Sequence, residues 1–549
     1  MSPLNGSTHH RTHPSRVTRH PSANRPWAVE SRGLDVVPDR ERHGSATDLF
    51  WLWIAANLGL IGVVYGAMIA TLGLDLAQAA TVAGVGTAGS FLVVGVLGVD
   101  GQRRGAPMLA LSRRCFGRRG NLGPTLASWL SLVSWETITA VVAADAVLAL
   151  FRPATRGWPG QAAAIAAILT VTALALAVGR LGHATIVVVQ RAVAWIFGLA
   201  TLAVATELAL RANWTQALAV RPAPASAVVA GVSIVAASAG ISWVNVSADY
   251  TRYLPRDEGA RSVTGWTTLG GSLPLFVLIL VGYALSTSEP GLAGSLDPIG
   301  ALRSALPGWA SPPYLTVAYL TVAVVGLLAQ MVMGLYSSGL ALLALGLRVR
   351  RSRSVLFEAL VIVCAGGWMM LGGRDLLGFL VSLVELLACP IAAWAAVFLA
   401  DAAFRRAETT AAARGLATVS WAAGTIAGLL LTSSPIFTGP LARGILARSS
   451  LGYFVGSAVA AGLFAATRLV ATHLARTPEG AAPPPTRATA QADPAAAVTL
   501  VPPAPPSRRP RPSTPAATRI AAPDTAATPT QPHASQARPG TKPPTAPAL

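Results

Sequence analysis

Long apolar runs alternate with short polar segments along most of the chain. A helix that crosses the hydrocarbon core of a bilayer needs about 20 apolar residues. Twelve runs approach or exceed this length: 48–72, 76–99, 122–150, 161–179, 184–209, 226–248, 264–286, 312–346, 355–373, 376–400, 412–434 and 450–473. Since backbone groups in lipid must be satisfied within their own segment, these runs predict membrane-spanning α-helices. The pattern therefore predicts an all-α integral membrane protein with twelve transmembrane helices.

Composition separates the apolar middle of the chain from its two polar ends. The 549 residues are 53% hydrophobic and only 12% charged, whereas soluble domains carry roughly 25% charged residues. Residues 1–46 are rich in Arg and His and lack the apolar core of a signal peptide, and 475–549 are mostly Ala, Pro, Thr and Arg. We expect a disordered tail at 1–46, a twelve-helix transporter domain at 47–474, and a disordered Pro/Ala-rich tail at 475–549.

The placement of the arginines predicts the orientation of the chain. The net charge is +19, and the even number of predicted spans puts both tails on one side of the membrane. The loops on that side hold 17 arginines and the opposite loops hold 8. Because positively charged loops stay in the cytoplasm, both termini are expected to be cytoplasmic in a multi-pass inner-membrane protein. The same placement argues against a nucleic-acid groove.

Two predicted spans contain interruptions near mid-depth. The first carries Asn57 and Gly59, and the sixth carries Gly240 and Asn245. These spans are the corresponding members of two five-helix halves, and paired interrupted helices often surround a solute site. The alternative interpretation is close helix packing through small residues.

Several polar residues lie within the predicted spans and are candidates for solute contact. In the third span Trp135 offers an indole face for a flat heterocycle, Glu136 offers a carboxylate, and Thr139 lies one turn further on the same face. Gln330 in the eighth span offers both amide donors and an acceptor. Ordinary packing remains the alternative for Trp135, and a structural partner for a distant arginine remains the alternative for Glu136.

Another buried acid is a candidate proton carrier. Glu385 lies in the tenth span, and Arg191 in the fifth span could be its counter-ion or could reach the membrane surface instead. The three cysteines are widely spaced, five of the eight histidines lie in the N-terminal tail, and the spans contain no HExxH and no Gly-rich phosphate loop. We therefore expect neither an enzyme nor a metal site nor a bound cofactor.

Two longer segments carry a family resemblance. The loop Gly105–Gly120 and the segment Ser247–Pro255 resemble the G-x-P…R-x-x-F-G-x-x-G loop and the D-Y-[ST]-R-Y-L-P signature of the nucleobase:cation symporter-1 family. Tyr336–Leu340 is similar to the family's Y-[ST]-x-G-L stretch, and Pro390 followed by Asp401 is similar to its P…D ending. The resemblance covers about residues 45–475. Members of the family include cytosine, purine, uracil, allantoin and hydantoin permeases.

The resemblance implies a LeuT-type fold of two inverted five-helix repeats plus two helices, with solute between spans 1, 3, 6, 8 and 10. It makes Trp135 the stacking tryptophan, with Thr139 in place of an amide often found one turn later. Gly240 falls where a second stacking aromatic can sit, and Gln330 falls where an asparagine usually binds the base edge.

The resemblance also bears on gating and on the coupling ion. Asp249 and Arg252 fall at the inner membrane edge, where they are expected to close a gate or to fix the loop. In sodium-coupled members a Ser/Thr pair in span 8 supplies ion ligands, and here those positions are Val324 and Val325. We therefore expect proton coupling or uncoupled transport rather than sodium coupling, with Glu136 as the first carboxylate to suspect.

The functional hypothesis is a secondary active transporter that imports a nucleobase or related heterocycle, such as cytosine, a purine, uracil or allantoin, by alternating access. Its expected partners are that small molecule and the lipid bilayer, with no nucleic acid. The alternatives are a transporter of another small solute, such as a vitamin or an amino acid, and a non-transporting membrane sensor. The sequence leaves the particular base, the direction of transport and the oligomeric state open.

Overall fold

A computed structural model describes residues 24–59, 61–151, 157–288, 292, 313–372, 375–404, 411–449 and 451–474, and these are helical almost throughout. The helices are α1 (Thr47–Asn57), α2 (Ile61–Ala70), α3 (Leu76–Arg104), α4 (Met108–Leu111), α5 (Arg113–Gly120), α6 (Leu122–Phe151), α7 (Gly157–Leu181), α8 (His183–Arg211), α9 (Trp214–Ala219), α10 (Ala225–Ser238), α11 (Ser247–Thr251), α12 (Ala260–Ser288), α13 (Pro313–Leu345), α14 (Arg351–Met370), α15 (Asp375–Ala403), α16 (Ala411–Leu430) and α17 (Leu451–Leu474). Short 3-10 helices cover Asp39–Glu41, Gly240–Val246 and Gly444–Arg448. Strand β1 (Ser433–Ser434) pairs antiparallel with β2 (Phe437–Thr438), with Ser433 opposite Thr438.

The prediction of an all-α membrane protein is confirmed. Within the described residues ten helices are long and apolar enough to cross a bilayer, and the bent pair α1–α2 would make an eleventh. The predicted span 412–434 forms α16, which is not among those ten and packs against α15, α17 and α5. The outer face of α8 exposes Ile196, Leu199 and Leu202 at 57–65% of their surface, which suits lipid and not water. The chain is a multi-pass membrane protein.

Helix packing brings the two interrupted helices to the centre of the bundle. Helix α12 lies along α2 and α3, and α13 lies along α6 and also contacts α1. Helices α15, α16 and α17 pack against one another. We call the end of the bundle that carries Arg104, Arg113, Arg114 and Arg252 the arginine-rich end.

Both predicted interruptions are present. Helix α1 ends at Asn57 and α2 begins at Ile61, with a bend of 67° between them. The sixth predicted span is helical to Ser238, leaves helical geometry at Ala239, and continues as a 3-10 helix before α11. A broken helix leaves backbone groups without helical partners, and such groups are tolerated at membrane depth where protein or a cavity surrounds them.

The expectation of disorder for the whole of 1–46 is wrong for residues 24–46, which we call the N-terminal segment. Its backbone is tied to the bundle, because the Glu30 amide donates to the Leu181 carbonyl and the Val37 amide donates to the Gly105 carbonyl, both at 2.8 Å. Arg42 is buried and donates to the carbonyls of Gln102 and Leu254. The segment lacks an apolar run, but its charges have specific partners. Residues 1–23 and 475–549 lie outside the described residues.

Candidate functional site

A cavity lies between the two interrupted helices, α6, α12 and α13. Its lining comes from Asn57, Ile61, Tyr65, Leu132, Trp135, Glu136, Thr139, Ser238, Ser242, Trp243, Leu275, Gln330, Met331 and Gly334. Five of the residues predicted from the sequence are therefore brought together: Asn57, Trp135, Glu136, Thr139 and Gln330. Residues far apart in the chain meet here because the breaks in the first and sixth predicted spans face α6 and α13.

Helix α6 supplies much of the cavity's chemistry. Trp135 and Thr139 lie one turn apart, so both side chains reach the same side of the helix. Trp135 is half-buried, and Glu136 and Thr139 are each 3% exposed. The indole Nε1 of Trp135 and the Oε1 of Glu136 are buried without a hydrogen-bond partner among the described residues. The cavity thus presents an aromatic face, a free donor and a free acceptor to any occupant.

A second indole lines the cavity from the 3-10 helix of the interrupted sixth span. Trp243 is 8% exposed and packs edge-on against Trp53, with ring centroids 5.5 Å apart and planes at 82°. The prediction had placed the second stacking position at Gly240. That residue faces α3 instead, where its amide donates to the Ser90 hydroxyl at 3.0 Å. Gly240 is absent from the described lining, and Trp243 stands three residues later in the same segment.

Two other predicted residues lie apart from the cavity lining. Gly59 packs against α13, where a Cβ built on Gly326 would lie 2.6 Å from the Gly59 Cα. Gly59 therefore fits the alternative interpretation, in which small residues allow two helices to pack closely. Glu385 is exposed on the outer surface of α15, and Arg191 pairs with Asp48 of α1 instead of with Glu385. The proposed counter-ion pair is wrong.

The cavity is narrow in this structure. Its volume is about 30 Å³, and a single water needs at least 10–15 Å³ on the same measure. The lining side chains must therefore move apart before a flat ring can enter. Gln330 is partly exposed, and Asn57 is held by its amide, which donates to the Trp53 carbonyl at 2.8 Å.

The carboxyl group of Glu136 lies against α13. The Ser338 hydroxyl donates to its Oε2 at 3.3 Å. A Cβ built on Gly334 would lie 2.5 Å from Glu136 Oε1 and 2.8 Å from its Cγ. Gly334 is therefore the position on α13 that gives this side chain its space.

The segments that carried the family resemblance contact one another at the arginine-rich end. Asp249 Oδ1 accepts the Met108 amide at 2.9 Å, which joins the D-Y-T-R segment to the G-A-P-M loop. The Tyr250 hydroxyl lies 2.8 Å from the Ser337 hydroxyl, which joins the same segment to Y-S-S-G-L in α13. The first of these contacts ties Asp249 to the loop, and the roles expected for Asp249 and Arg252, closing a gate or fixing the loop, stay predictions.

Arg252 belongs to a buried cluster that the sequence did not reveal. Its guanidinium donates to Glu30 Oε1 at 2.5 Å and to the Tyr336 hydroxyl at 2.8 Å. Glu30 also accepts the Tyr253 hydroxyl at 2.7 Å and lies 3.7 Å from the Arg351 Nε. We call these five residues the Glu30 cluster. Since Glu30 stands in a polar segment far from its partners in sequence, no local pattern points to it.

Electrostatics fix the charge state of Glu30. Burial alone would raise the pKa of its carboxyl, but Arg252 and Arg351 beside it, together with the His183 amide, hold the pKa of Glu30 below its ordinary value. The Glu30 side chain is 1% exposed and that of Arg252 is 0% exposed. The cluster is therefore a buried carboxylate between two arginines, and it links the N-terminal segment to α13, to α14 and to the residues that follow α11.

Solved structures share this architecture. The chain aligns with Mhp1, a nucleobase-cation-symport-1 family transporter with bromovinylhydantoin bound, over 80% of this chain and 96% of that one, at a TM-score of 0.60 and 16% identity. An inward-facing structure of Mhp1 aligns at a TM-score of 0.55 and 17% identity, over 82% and 95% of the chains. MhsT in complex with L-phenylalanine aligns at 0.50 and 13%, over 78% and 99%. These likenesses and the cavity between paired broken helices define an integral membrane protein of the LeuT-type transporter fold.

Sequence comparison gives the family. A model described as permease for cytosine/purines, uracil, thiamine, allantoin matches residues 36–456, and the chain belongs to this family. YxlA of Bacillus subtilis, named as a purine-cytosine permease, is 27% identical over 271 residues, which are 48% of this chain and 55% of that protein. The chain therefore spans about half the length of this curated relative.

Proposed function

We propose that the protein is a secondary active transporter that imports a nucleobase or related heterocycle by alternating access. The observation that carries the proposal is the cavity in which Trp135 and Trp243 meet the polar side chains of Glu136, Gln330 and Asn57 between two interrupted helices. Family membership supports the solute class, since the family description names cytosine/purines, uracil and allantoin.

The lining suits a flat, polar ring. An indole face attracts the face of another aromatic ring and excludes water from it. A nucleobase carries donors and acceptors at its edge, and Gln330 offers both kinds of group in return. The unpartnered Oε1 of Glu136 can accept a hydrogen bond from a ring N–H or an exocyclic amine. The side chain of an aliphatic amino acid has no ring that could stack on either indole face.

Proton coupling is part of the proposal. Val324 and Val325 stand in α13 next to Gly326, which packs against the break in the first span. Valine offers no side-chain oxygen to Na⁺, whereas hard cations of this kind are bound by oxygen ligands. Glu136 faces the cavity and can hold a proton that enters with the solute. No bound metal or organic cofactor is part of the proposal.

The orientation proposed for the chain follows its arginines. The arginine-rich end is taken as the cytoplasmic side of the inner membrane, with both termini on that side. In that orientation the Glu30 cluster lies on the cytoplasmic side, where we propose that it acts as the inner gate. Labelling of single cysteines at Arg113 and at Arg211 in intact cells, by a reagent that does not cross membranes, checks this: only the Arg211 position should react.

The test of the solute is uptake by the purified full-length protein in proteoliposomes. Radiolabelled hypoxanthine, cytosine, uracil and allantoin are offered singly, then with unlabelled thiamine or phenylalanine as competitors. We expect saturable uptake of at least one heterocycle, recovered chemically unchanged, that phenylalanine does not inhibit. Uptake of thiamine or an amino acid without any uptake of a heterocycle would contradict the proposal.

A further inference from the structure

A second buried acid lies beyond the cavity, on α14. Glu358 is 0% exposed, while its neighbours Leu356 and Phe357 are 54% and 47% exposed. The helix therefore turns Glu358 towards the protein interior and turns its apolar neighbours outwards. A carboxyl group within a membrane span is costly to bury, so its position calls for a function or a partner.

Glu358 and Glu136 flank one hydroxyl group. The Ser338 hydroxyl donates to Glu136 Oε2 at 3.3 Å and also lies beside the Glu358 carboxyl. Glu358 Oε2 accepts the indole N–H of Trp129 at 3.0 Å. Within the described part of the chain, the Oε1 atoms of both acids are buried without a hydrogen-bond partner. Each acid thus keeps one oxygen that a proton can occupy.

Tyr250, Tyr336 and Arg351 on the neighbouring helices have other partners, and Arg353 in the first turn of α14 is exposed. Tyr250 lies near Glu136, but its hydroxyl is used by the Met333 carbonyl and Ser337. Arg351 of α14 binds the carbonyls of Gly179 and Arg180 and lies beside Glu30, as Tyr336 of α13 does. On α7 the one charged side chain is Arg180 at its last turn, and on α15 Glu385 faces outwards. A cation that would balance two negative charges is therefore absent from the described surroundings of the pair.

Two neighbouring carboxylates without a cation cannot both be charged in an apolar interior. Burial disfavours each charge, and the second charge is disfavoured further by the first. Such a pair binds and releases its protons as a unit, so the two acids share one proton. The arrangement thus differs from the Glu30 cluster, where two arginines keep the acid ionised.

We propose that Glu136, Ser338 and Glu358 form a proton-binding site, in which Glu136 meets the solute cavity and Glu358 stores the proton behind it. Transfer keeps every atom accounted for: the Ser338 hydroxyl, which donates to Glu136 Oε2, gives its proton to that oxygen as the Glu358 carboxyl gives its proton to the Ser338 oxygen. Glu136 becomes an acid, Glu358 becomes a carboxylate, and Ser338 is unchanged; the reverse step returns the proton to Glu358. As a coupling site, this inference rests on the proposed transport function, while the sharing of the proton can be measured without transport.

Infrared difference spectroscopy tests the sharing directly. Protonated carboxyl groups have a C=O stretching band that ionised groups lack, and the band can be followed through a pH titration of the full-length protein in nanodiscs. We expect Glu358→Gln to lower the titration midpoint of Glu136 by about one pH unit or more, because the neighbouring negative charge is gone. Glu136→Gln should do the same to Glu358. Glu207→Gln is the matched control, since Glu207 pairs with Arg211 at the far end of α8.

The outcomes separate cleanly. If each acid titrates identically with and without the other, the pair shares no proton and the inference is overturned. Should Glu358→Gln fail to fold, Glu358→Asp keeps a carboxyl and should shift the Glu136 midpoint by a smaller amount in the same direction.

In proteoliposomes, Glu358→Gln should still exchange labelled for unlabelled hypoxanthine while its net uptake loses most of its dependence on a pH gradient. Coupled titration without uptake of any heterocycle by the wild-type protein would refute the proposed function alone.

Discussion

Trp135 is the residue whose chemistry most directly links the cavity to a flat solute. Its half-buried indole lines the cavity, and its Nε1 has no hydrogen-bond partner in the part of the chain that the structure describes. Stacking of a base on an aromatic side chain contributes about 1–3 kcal/mol, which corresponds to about 5- to 150-fold in Kd. We therefore expect Trp135→Ala to weaken binding of the transported base by that factor, and Trp135→Phe to weaken it much less. Equilibrium binding of the labelled base to purified protein measures the effect.

The matched control for this prediction removes an indole elsewhere. Trp368 lies on α14, is 68% exposed and is outside the described cavity lining. Trp368→Ala should leave the Kd of the base unchanged. An unchanged Kd in Trp135→Ala as well would move the solute site away from this cavity.

At the residue scale, the sequence predicted which side chains have suitable chemistry better than it predicted which of them point into the cavity. Trp135, Glu136 and Gln330 sit in uninterrupted helices, where the 3.6-residue period fixes which side chains share a face, and all three line the cavity. Gly240 and Trp243 sit in a 3-10 segment with a different period, so an alignment by spacing selected the wrong one. Glu358 was missed because a lone acid in an apolar run carries no sign of the neighbour across the bundle.

Among the elements, the N-terminal segment makes a buried contact through Glu30 that a disordered tail would not make. Glu30→Gln would leave Arg252 and Arg351 buried without their carboxylate, and removing one partner of a buried pair costs about 3–5 kcal/mol. We expect a clear fall in the thermal unfolding temperature of the purified protein. Glu207→Gln breaks an ion pair with about a third of each side chain exposed, and should have little effect. Equal losses in the two variants would contradict a structural role for the cluster.

The sign of the pH dependence follows from the lowered pKa of Glu30. A carboxyl with a lower pKa in the folded state stabilises the fold fully above its ordinary value of 4.5. That contribution is lost as the pH falls through the lowered value. The Glu30 contribution, measured as the difference between wild type and Glu30→Gln, should be constant at neutral pH and should shrink only below about 4.5.

The elements themselves follow from the sequence to different degrees. Apolar length predicted the spanning helices, and glycine with polar residues at mid-depth predicted both interruptions. The N-terminal segment was not predicted, because its order depends on charges paired over more than 150 residues of sequence. Composition shows how polar such a segment is. It does not show that Arg252 and Arg351 are the buried partners of Glu30 in the folded protein.

For the whole molecule, the proposed transport function relates the narrow cavity to the Glu30 cluster. The cluster joins the N-terminal segment to α13, to α14 and to the residues that follow α11 at the arginine-rich end. If the cluster is the inner gate of the proposed transporter, alternating access requires that it separate in another conformation and that the cavity widen beyond its present 30 Å³. The two arginines hold the pKa of Glu30 below its ordinary value, so Glu30 is expected to stay ionised near neutral pH.

In the proposed function the coupling proton binds at the cavity, where Glu136 lies, and its effect is measured on the whole transport cycle. We expect proteoliposomes to accumulate the transported base in sodium-free buffer when the outside is more acidic than the inside. With one proton per solute, a gradient of one pH unit supports about tenfold accumulation, since one unit is 1.36 kcal/mol. A protonophore should abolish that accumulation while leaving exchange of labelled for unlabelled base intact. If accumulation instead requires Na⁺, Val324 and Val325 do not disable an ion site, and backbone oxygens at the break after Asn57 must hold the cation.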